Sequence, residues 1–435
     1  MPVRTSISTK ASYLCRHARA ADGERGVVLV LAVFAVVLLT VLAVGITAAV
    51  RVELMAARTS LERMQGLYLA EAGINQARAV LLYDDPSLDA LTDDWGPEAE
   101  EPLDLPQEMA GGLYRVRVYD ASGRIDINQA DLQTMTRLIG DMEIANAIVE
   151  WREEAAKGLD EGTGADFYIS LPYPYMPRNG PFQSPGELLL VKGVTPELFY
   201  GSKDRVGLAD LITVDSLSIN RTVNGEWKLN LNEFRSWNEP KFQEYVLARL
   251  GGAITFYDAD KMIWPGLNEL MQQGLPGYTS LSQLATAAHL DYGKIAQLID
   301  LVTVDSQPFL RGMVNVNTAP LEVIAALPGS SISVAQSLIE RRKQAPFLTL
   351  GEVILFLAEQ PEGGTLFEQM IDHITTKSSV FLIESMGWPV GGRSQRTLTA
   401  LVRRREDSVT VIRQAEQDWP MPPPAEEEAA LAARR

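Results

Sequence analysis

From Val27 to Val50 the chain carries no charged residue. As a helix rising ~1.5 Å per residue, this stretch reaches about 36 Å, enough to cross a hydrocarbon core of ~30 Å. Apolar positions then continue on helical spacing to about Leu82, with Leu54, Leu61 and Tyr68 seven apart and Ala57, Met64 and Ile74 between or after them. The pattern predicts one continuous helix of roughly 55 residues. Its first half belongs in lipid or against similar helices. Its second half is expected to bury the stripe of Leu54, Leu61 and Tyr68 against a folded domain.

Helical spacing ends near Asp84, and residues 84 to 108, rich in Asp, Glu and Pro, read as an exposed linker. After Gly111-Gly112, Tyr114, Val116 and Val118 alternate with Arg115 and Arg117, the period-two pattern of a half-buried strand. Asp120-Ala121-Ser122-Gly123 is a turn signal. Strand-like segments return at Val380 to Met386, Arg396 to Arg405 and Ser408 to Arg413. The four segments predict one antiparallel sheet packed on the N-terminal helix, interrupted by a helical insertion from about Ile125 to Thr376.

The insertion repeats itself. Ala209 to Ser216 (ADLITVDS) returns as Ile299 to Ser306 (IDLVTVDS), and each copy accompanies a short Asn-x-Asn element, Asn230-Leu231-Asn232 and Asn315-Val316-Asn317. A related Asp126-Ile127-Asn128 opens the insertion. Similar helix pairs surround Gly140 and Gly329. Three units follow, 125–216, 217–306 and 307–376, read as duplications of one. The other expected boundaries are 1–26, 27–50, 51–83, 84–124, 377–416 and 417–435, the last a disordered tail rich in Pro and Glu. Asn-Val-Asn-Thr-Ala-Pro before a helix is expected to cap it, with Pro320 in the first turn.

Composition narrows the chemistry. Among 435 residues, 39 basic and 56 acidic side chains give a formal charge of −17, which disfavours a broad grip on nucleic acid. The single cysteine, Cys15, excludes a disulfide framework or a cysteine-built zinc site. The three histidines, His17, His289 and His373, lack ligand spacing. The sequence therefore reads as non-enzymatic. Before the apolar run, Arg4, Lys10, Arg16, Arg19 and Arg25 outnumber Asp22 and Glu24, so the N-terminus is expected on the cytoplasmic side and the bulk of the chain across the inner membrane. The apolar run is too long for an ordinary signal peptide; a plain anchor with a stalk is the simpler alternative.

Arg25-Gly26 followed at once by the apolar helix resembles the type IV prepilin signal, which implies cleavage by a prepilin peptidase between Gly26 and Val27. The fifth residue after that point is Leu31, where most pilins carry glutamate. A carboxylate there is costly unless paired with a neighbouring subunit's N-terminal amine, so a subunit at a filament end can dispense with it. Its lack, with Tyr68-Leu69-Ala70-Glu71-Ala72-Gly73-Ile74 and the order of Gly123 to Asn128, Ile148 to Arg152, Val314 to Ala319 and Ser378 to Phe381, resembles the K-type minor pseudopilins of type II secretion, the general secretion pathway protein K family.

The resemblance implies an α+β, pilin-like fold: a long N-terminal helix on an antiparallel sheet, with a large all-helical insertion containing helix-hairpin-helix-like repeats. It implies a place at the tip of a pseudopilus, where the chain starts filament assembly and serves protein export. The implied partners are other minor pseudopilins, the prepilin peptidase, the inner-membrane secretion platform, and exported substrates or the outer-membrane secretin. In the family, Asp-Trp-x-Asp and Gly-Ala-Glu elements occupy the region that here reads Glu150-Trp151-Arg152-Glu153 and Gly164-Ala165-Asp166. Glu150, Glu153, Asp160 and Asp166 are thus calcium candidates, against a merely solvated acidic loop. Two alternatives stand beside this reading: a minor pilin of a type IV pilus, and a membrane-anchored helix-hairpin-helix protein for DNA uptake. No nucleic acid is expected, because Asp141 follows Gly140 where phosphate would sit, and the Gly329 hairpin lacks a second glycine.

Overall fold

The computed structural model describes residues 11–153, 167–203, 205–236, 239–250, 263–275, 277–289, 291–361, 363–391 and 395–417. One helix runs from Ala11–Tyr83, 73 residues without a break. It first meets the sheet through an ion pair of Arg63 with Glu416 at 3.0 Å, its burial begins at Gly66, and Leu69, Ala70, Gly73, Ile74, Ala77 and Leu81 form the buried face. Small residues make this contact close. A Cβ on Gly387 of the sheet would strike the Gly66 carbonyl and the Ala70 nitrogen, and one on Gly73 would strike the Ser385 hydroxyl.

The expected stripe is on the wrong side of the helix. Leu54, Leu61 and Tyr68 are 64%, 55% and 64% exposed. At ~100° per residue, Tyr68 lies close to diametrically opposite Ala70 and Ala77. Periodicity identified an apolar face, but the face that meets the sheet is the one lined by glycine and alanine, which a hydrophobic count underweights.

The sheet has five antiparallel strands in spatial order Gln107–Met109, Gly112–Asp120, Val380–Pro389, Arg396–Arg405 and Ser408–Gln417. Four were expected; the additional one is a three-residue edge. Residues 84 to 106 form turns rather than an exposed linker. Asp89, Ala90, Trp95 and Leu103 are buried, and the Trp95 ring packs edge-on against Phe381 at 5.2 Å. Aromatic burial of this kind outweighs the polar composition around it.

Asp120 lies directly opposite Phe381 in the sheet. Everything between them, residues 125 to 376, is therefore an excursion between two neighbouring strands. It contains three units, each closed by a two-residue parallel pair: Ile125–Asp126 with Ile212–Thr213, Leu229–Asn230 with Val302–Thr303, and Val314–Asn315 with Ile374–Thr375. The insertion is thus mainly helical rather than all-helical. These short pairs satisfy backbone groups where each unit begins and ends inside the core. A single apolar cluster from Ile125 to Ile374 runs through all three units.

Each unit also carries the same asparagine clamp. The side chains of Asn128, Asn232 and Asn317 accept from the backbone N–H of Phe182, Tyr278 and Phe347 at 2.8, 2.9 and 2.9 Å and donate back to the carbonyl of the same residue at 3.0, 2.7 and 3.0 Å. The residue two before the clamp, Asp126, Asn230 or Asn315, accepts from its N–H. The expected helix cap is therefore a different device. The helix Leu321–Ala326 is preceded by Pro320 at the cap position with no side-chain cap bond, because Asn317 is committed to Phe347 and Asn315 to Asp89 and Asp120.

Candidate assembly site

Two features of the fold could serve assembly: the free length of helix, and the junction that holds the insertion to the sheet. From Gly26 to Leu61 the helix is exposed throughout, and its apolar run is long enough to cross a membrane; Arg63 beyond it already pairs with Glu416 of the sheet at 3.0 Å. Gly26, Val27 and Leu31 all lie on this free length, with Val27 and Leu31 exposed. Leu54, Met55, Leu61, Met64 and Tyr68 extend the apolar surface beyond the uncharged run.

The junction is a buried polar network at the C-terminal end of the docked helix. Arg404 from the sheet donates to Asp84 at 2.6 Å and to both oxygens of Asp89 at 2.5 and 2.7 Å. It also donates to the Ser378 carbonyl at 3.0 Å, with its guanidinium over the Phe381 ring. Asp120, at the point where the insertion departs, accepts from Thr318 at 2.6 Å, Ser378 at 2.7 Å and Asn315 at 3.0 Å. Asn315 also donates to the Asp89 carbonyl at 3.0 Å. Helix end, sheet, departure point and third unit are tied in one set of bonds.

Burial dominates the electrostatics there. It pushes the Asp89 carboxyl well above the usual carboxylate range, against the pull of Arg404, and it raises Asp120 despite the hydroxyls of Ser378 and Thr318. Burial opposes the charge on Arg404, but Asp89 and Asp84 more than restore it, so the guanidinium stays protonated. Asp84, Asp89 and Asp93 bring carboxylate oxygens within ligand distance of one another. Arg404 already neutralises the first two, so the cluster reads as an ion-pair network.

The sequence-predicted calcium set is not assembled among the described residues. Glu150 and Glu153 are exposed at the end of the helix Met142–Arg152, while Asp160 and Asp166 lie outside the described residues.

The first hairpin has backbone donors engaged by a side chain, and the second has carbonyls so engaged. Gly140 turns with φ 79°, and Asp141 behind it accepts from the N–H groups of Glu143 and Ile144 at 2.8 and 3.3 Å. Gly329 turns with φ 73°, but its hairpin is covered. Arg137 donates to the Leu327 and Ser330 carbonyls at 2.8 and 3.4 Å, and Gln369 stands over the glycine. Arg342 turns inward to the carbonyls of Val316 and Ala319, both at 2.7 Å, and Arg341 caps the Ala345 carbonyl at 2.7 Å.

None of the junction residues was singled out for this role from the sequence. Asp84, Asp89, Asp120, Asn315, Ser378 and Arg404 are scattered along the chain, and the only local signal was Asn315 within the Asn-x-Asn repeat.

Residues 118–202 and 314–376 match models of the family described as type II secretion system (T2SS), protein K. No curated protein matches the chain. Among solved structures, the chain is similar at 13% identity to one in "The Crystal Structure of the GspK-GspI-GspJ complex from enterotoxigenic Escherichia coli Type 2 Secretion System". That alignment covers 84% of this chain and 100% of that one, with a TM-score of 0.46. The first family match begins in the sheet and runs into the first unit, and the second spans the third unit from its opening strand to its closing one. Two separate parts of the chain, in this order, thus match the protein K family of type II secretion systems.

Proposed function

We propose that this chain is the minor pseudopilin that ends a type II secretion pseudopilus at its tip, nucleates the filament and contributes to export across the outer membrane. The observation that carries the reading is where the insertion sits. It is tied through Asp89, Asp120 and Asn315 to the end of the helix farthest from the apolar run. A subunit bearing some 250 residues at that end leaves no room for another above it, while its free helix still offers a face to subunits below. Leu31 fits the same reading, because a terminal subunit has no upper neighbour whose amine a carboxylate would pair.

The helix would cross the inner membrane once, with residues 1–26 cytoplasmic and removed by the prepilin peptidase, and residues from 51 onward periplasmic. Other minor pseudopilins would pack along Leu54, Leu61 and Tyr68. The inner-membrane platform would contact the membrane end, and exported substrate or the secretin would meet the insertion. Against the DNA-uptake alternative stand Asp141, which occupies the amides behind Gly140, and Gln369, which covers Gly329, since a phosphate would have to displace a carboxylate at one hairpin and a side chain at the other. Gold-labelled antibody against the insertion tests the proposal on isolated filaments: label at one end only is expected, and label along the shaft overturns it.

Calcium at Glu150, Glu153, Asp160 and Asp166 is a lesser proposal supported by residue type. It predicts that chelation lowers the melting temperature of the full chain and that Glu150→Gln with Glu153→Gln abolishes the difference. An unchanged melting temperature on chelation removes it.

A further inference from the structure

Where the insertion leaves the sheet, a cavity of about 380 Å3 opens between residues 91–97, the strand Gly112–Asp120 and the start of the third unit. This volume falls at the small end of the ~300–1,000 Å3 range of ligand pockets. Its walls are largely apolar, with Leu91, Trp95, Pro97 and Pro320 on different sides. Trp95 is held by Phe381, and Pro320 by the chain entering the third unit, so the walls come from rigid elements.

Two charged groups in the wall of this cavity, Arg124 and Asp210, have no hydrogen-bond or ion-pair partner among the described residues, and Arg124 is the cation of the two. Arg124, immediately after the turn that ends the strand, lies over the Tyr119 ring, 5.3 Å from its centre. Among the described residues its guanidinium has no hydrogen-bond or ion-pair partner, although it is half-buried and faces the cavity. Burial weakens its hold on the proton, and the opposing field comes chiefly from Asp210, which lies beyond ion-pair distance. The other arginine in the wall, Arg117, already faces Asp104 at 3.7 Å, and the buried carboxylate Asp120 is filled by Ser378, Thr318 and Asn315. A guanidinium carries five donors in a planar fork that matches a carboxylate two-pronged. Held against an aromatic ring, it loses little freedom on binding.

The geometry points to a binding site for a carboxylate borne on an apolar or aromatic body, in which the carboxylate lies on Arg124 and the body lies against Trp95, Leu91 and Pro97. The anion supplies the missing partner of a half-buried cation, and the apolar body fills space lined by carbon. An inorganic anion would satisfy only the first requirement, and a neutral hydrocarbon only the second.

The test uses the full chain in detergent and isothermal titration with 3-phenylpropionate, a free acid, and N-acetylphenylalanine, which presents the terminus of a polypeptide. Saturable binding of either, at about millimolar strength or better, is expected, and the tighter of the two identifies the source of the ligand. The neutral 3-phenylpropanamide and inorganic phosphate should each bind at least tenfold more weakly. Arg124→Met keeps the stem against Tyr119 and should cut carboxylate affinity at least tenfold with an unchanged melting temperature, while Arg124→Lys should retain part of it. Absence of saturable binding by both acids overturns the proposal, as does equal binding by the native chain and a folded Arg124→Met variant. If the methionine variant does not fold, equal affinity for acid and amide in the native chain overturns it independently.

Discussion

Arg404 is the residue on which the junction turns. Its side chain is 3% exposed between Asp84 and the fully buried Asp89, so removing it strands two carboxylates in a dry site. Arg404→Met should cost about 3–5 kcal/mol, the range for breaking one side of a buried pair, measured by urea unfolding of the full chain in detergent. Asp126 offers a pH signature. Burial raises its carboxyl to about 6, so between ~pH 4 and that value the native chain holds a proton that the unfolded chain has released. Stability from this group is fully present below ~pH 4 and is lost as the pH rises through about 6. Asp126→Asn keeps an acceptor for the Asn128 N–H and should remove about 1–3 kcal/mol of that loss. Unfolding free energies of both chains across this window check the sign. Asp93, also raised to about 6 by burial, supplies a residual slope of the same sign.

At the scale of elements, the asparagine clamps define the units. Asn317→Ala would leave the buried N–H and carbonyl of Phe347 without partners, and a cost of about 2–4 kcal/mol is expected from two lost bonds and their desolvation. Asn317→Asp should be nearly as harmful, since a carboxylate cannot donate to the Phe347 carbonyl; equal stability of either variant to the native chain would refute the clamp. The repeat itself was legible in the sequence because Thr213-Val214-Asp215 and Thr303-Val304-Asp305 are local strings. In both, the Thr hydroxyl accepts from the Asp N–H two residues on, at 3.3 and 3.2 Å. The third copy, Thr375 with Lys377, keeps the geometry with a different residue and escaped the sequence comparison. The partners of the clamps also escaped it, because Phe182, Tyr278 and Phe347 lie 30 to 54 positions away. The strands were legible from alternation. The buried turn at Trp95 was not, since one aromatic side chain decides it within an acidic, proline-rich segment.

For the whole molecule, the helix divides into a part that folds with the sheet and a part that the chain leaves bare. Substitution on the bare part should therefore separate stability from assembly. Leu61→Asp should change unfolding free energy by less than ~0.5 kcal/mol, as for other exposed sites, while abolishing co-purification with the minor pseudopilins proposed as its partners. A large loss of stability would mean that the stripe is internal core after all. The central claim is that this helix is processed and stacked as a pseudopilin, and intact mass spectrometry of the chain recovered with its filament complex tests it most directly. The account predicts a polypeptide that begins at Val27. A polypeptide that retains Met1 through Gly26 while assembled would contradict it.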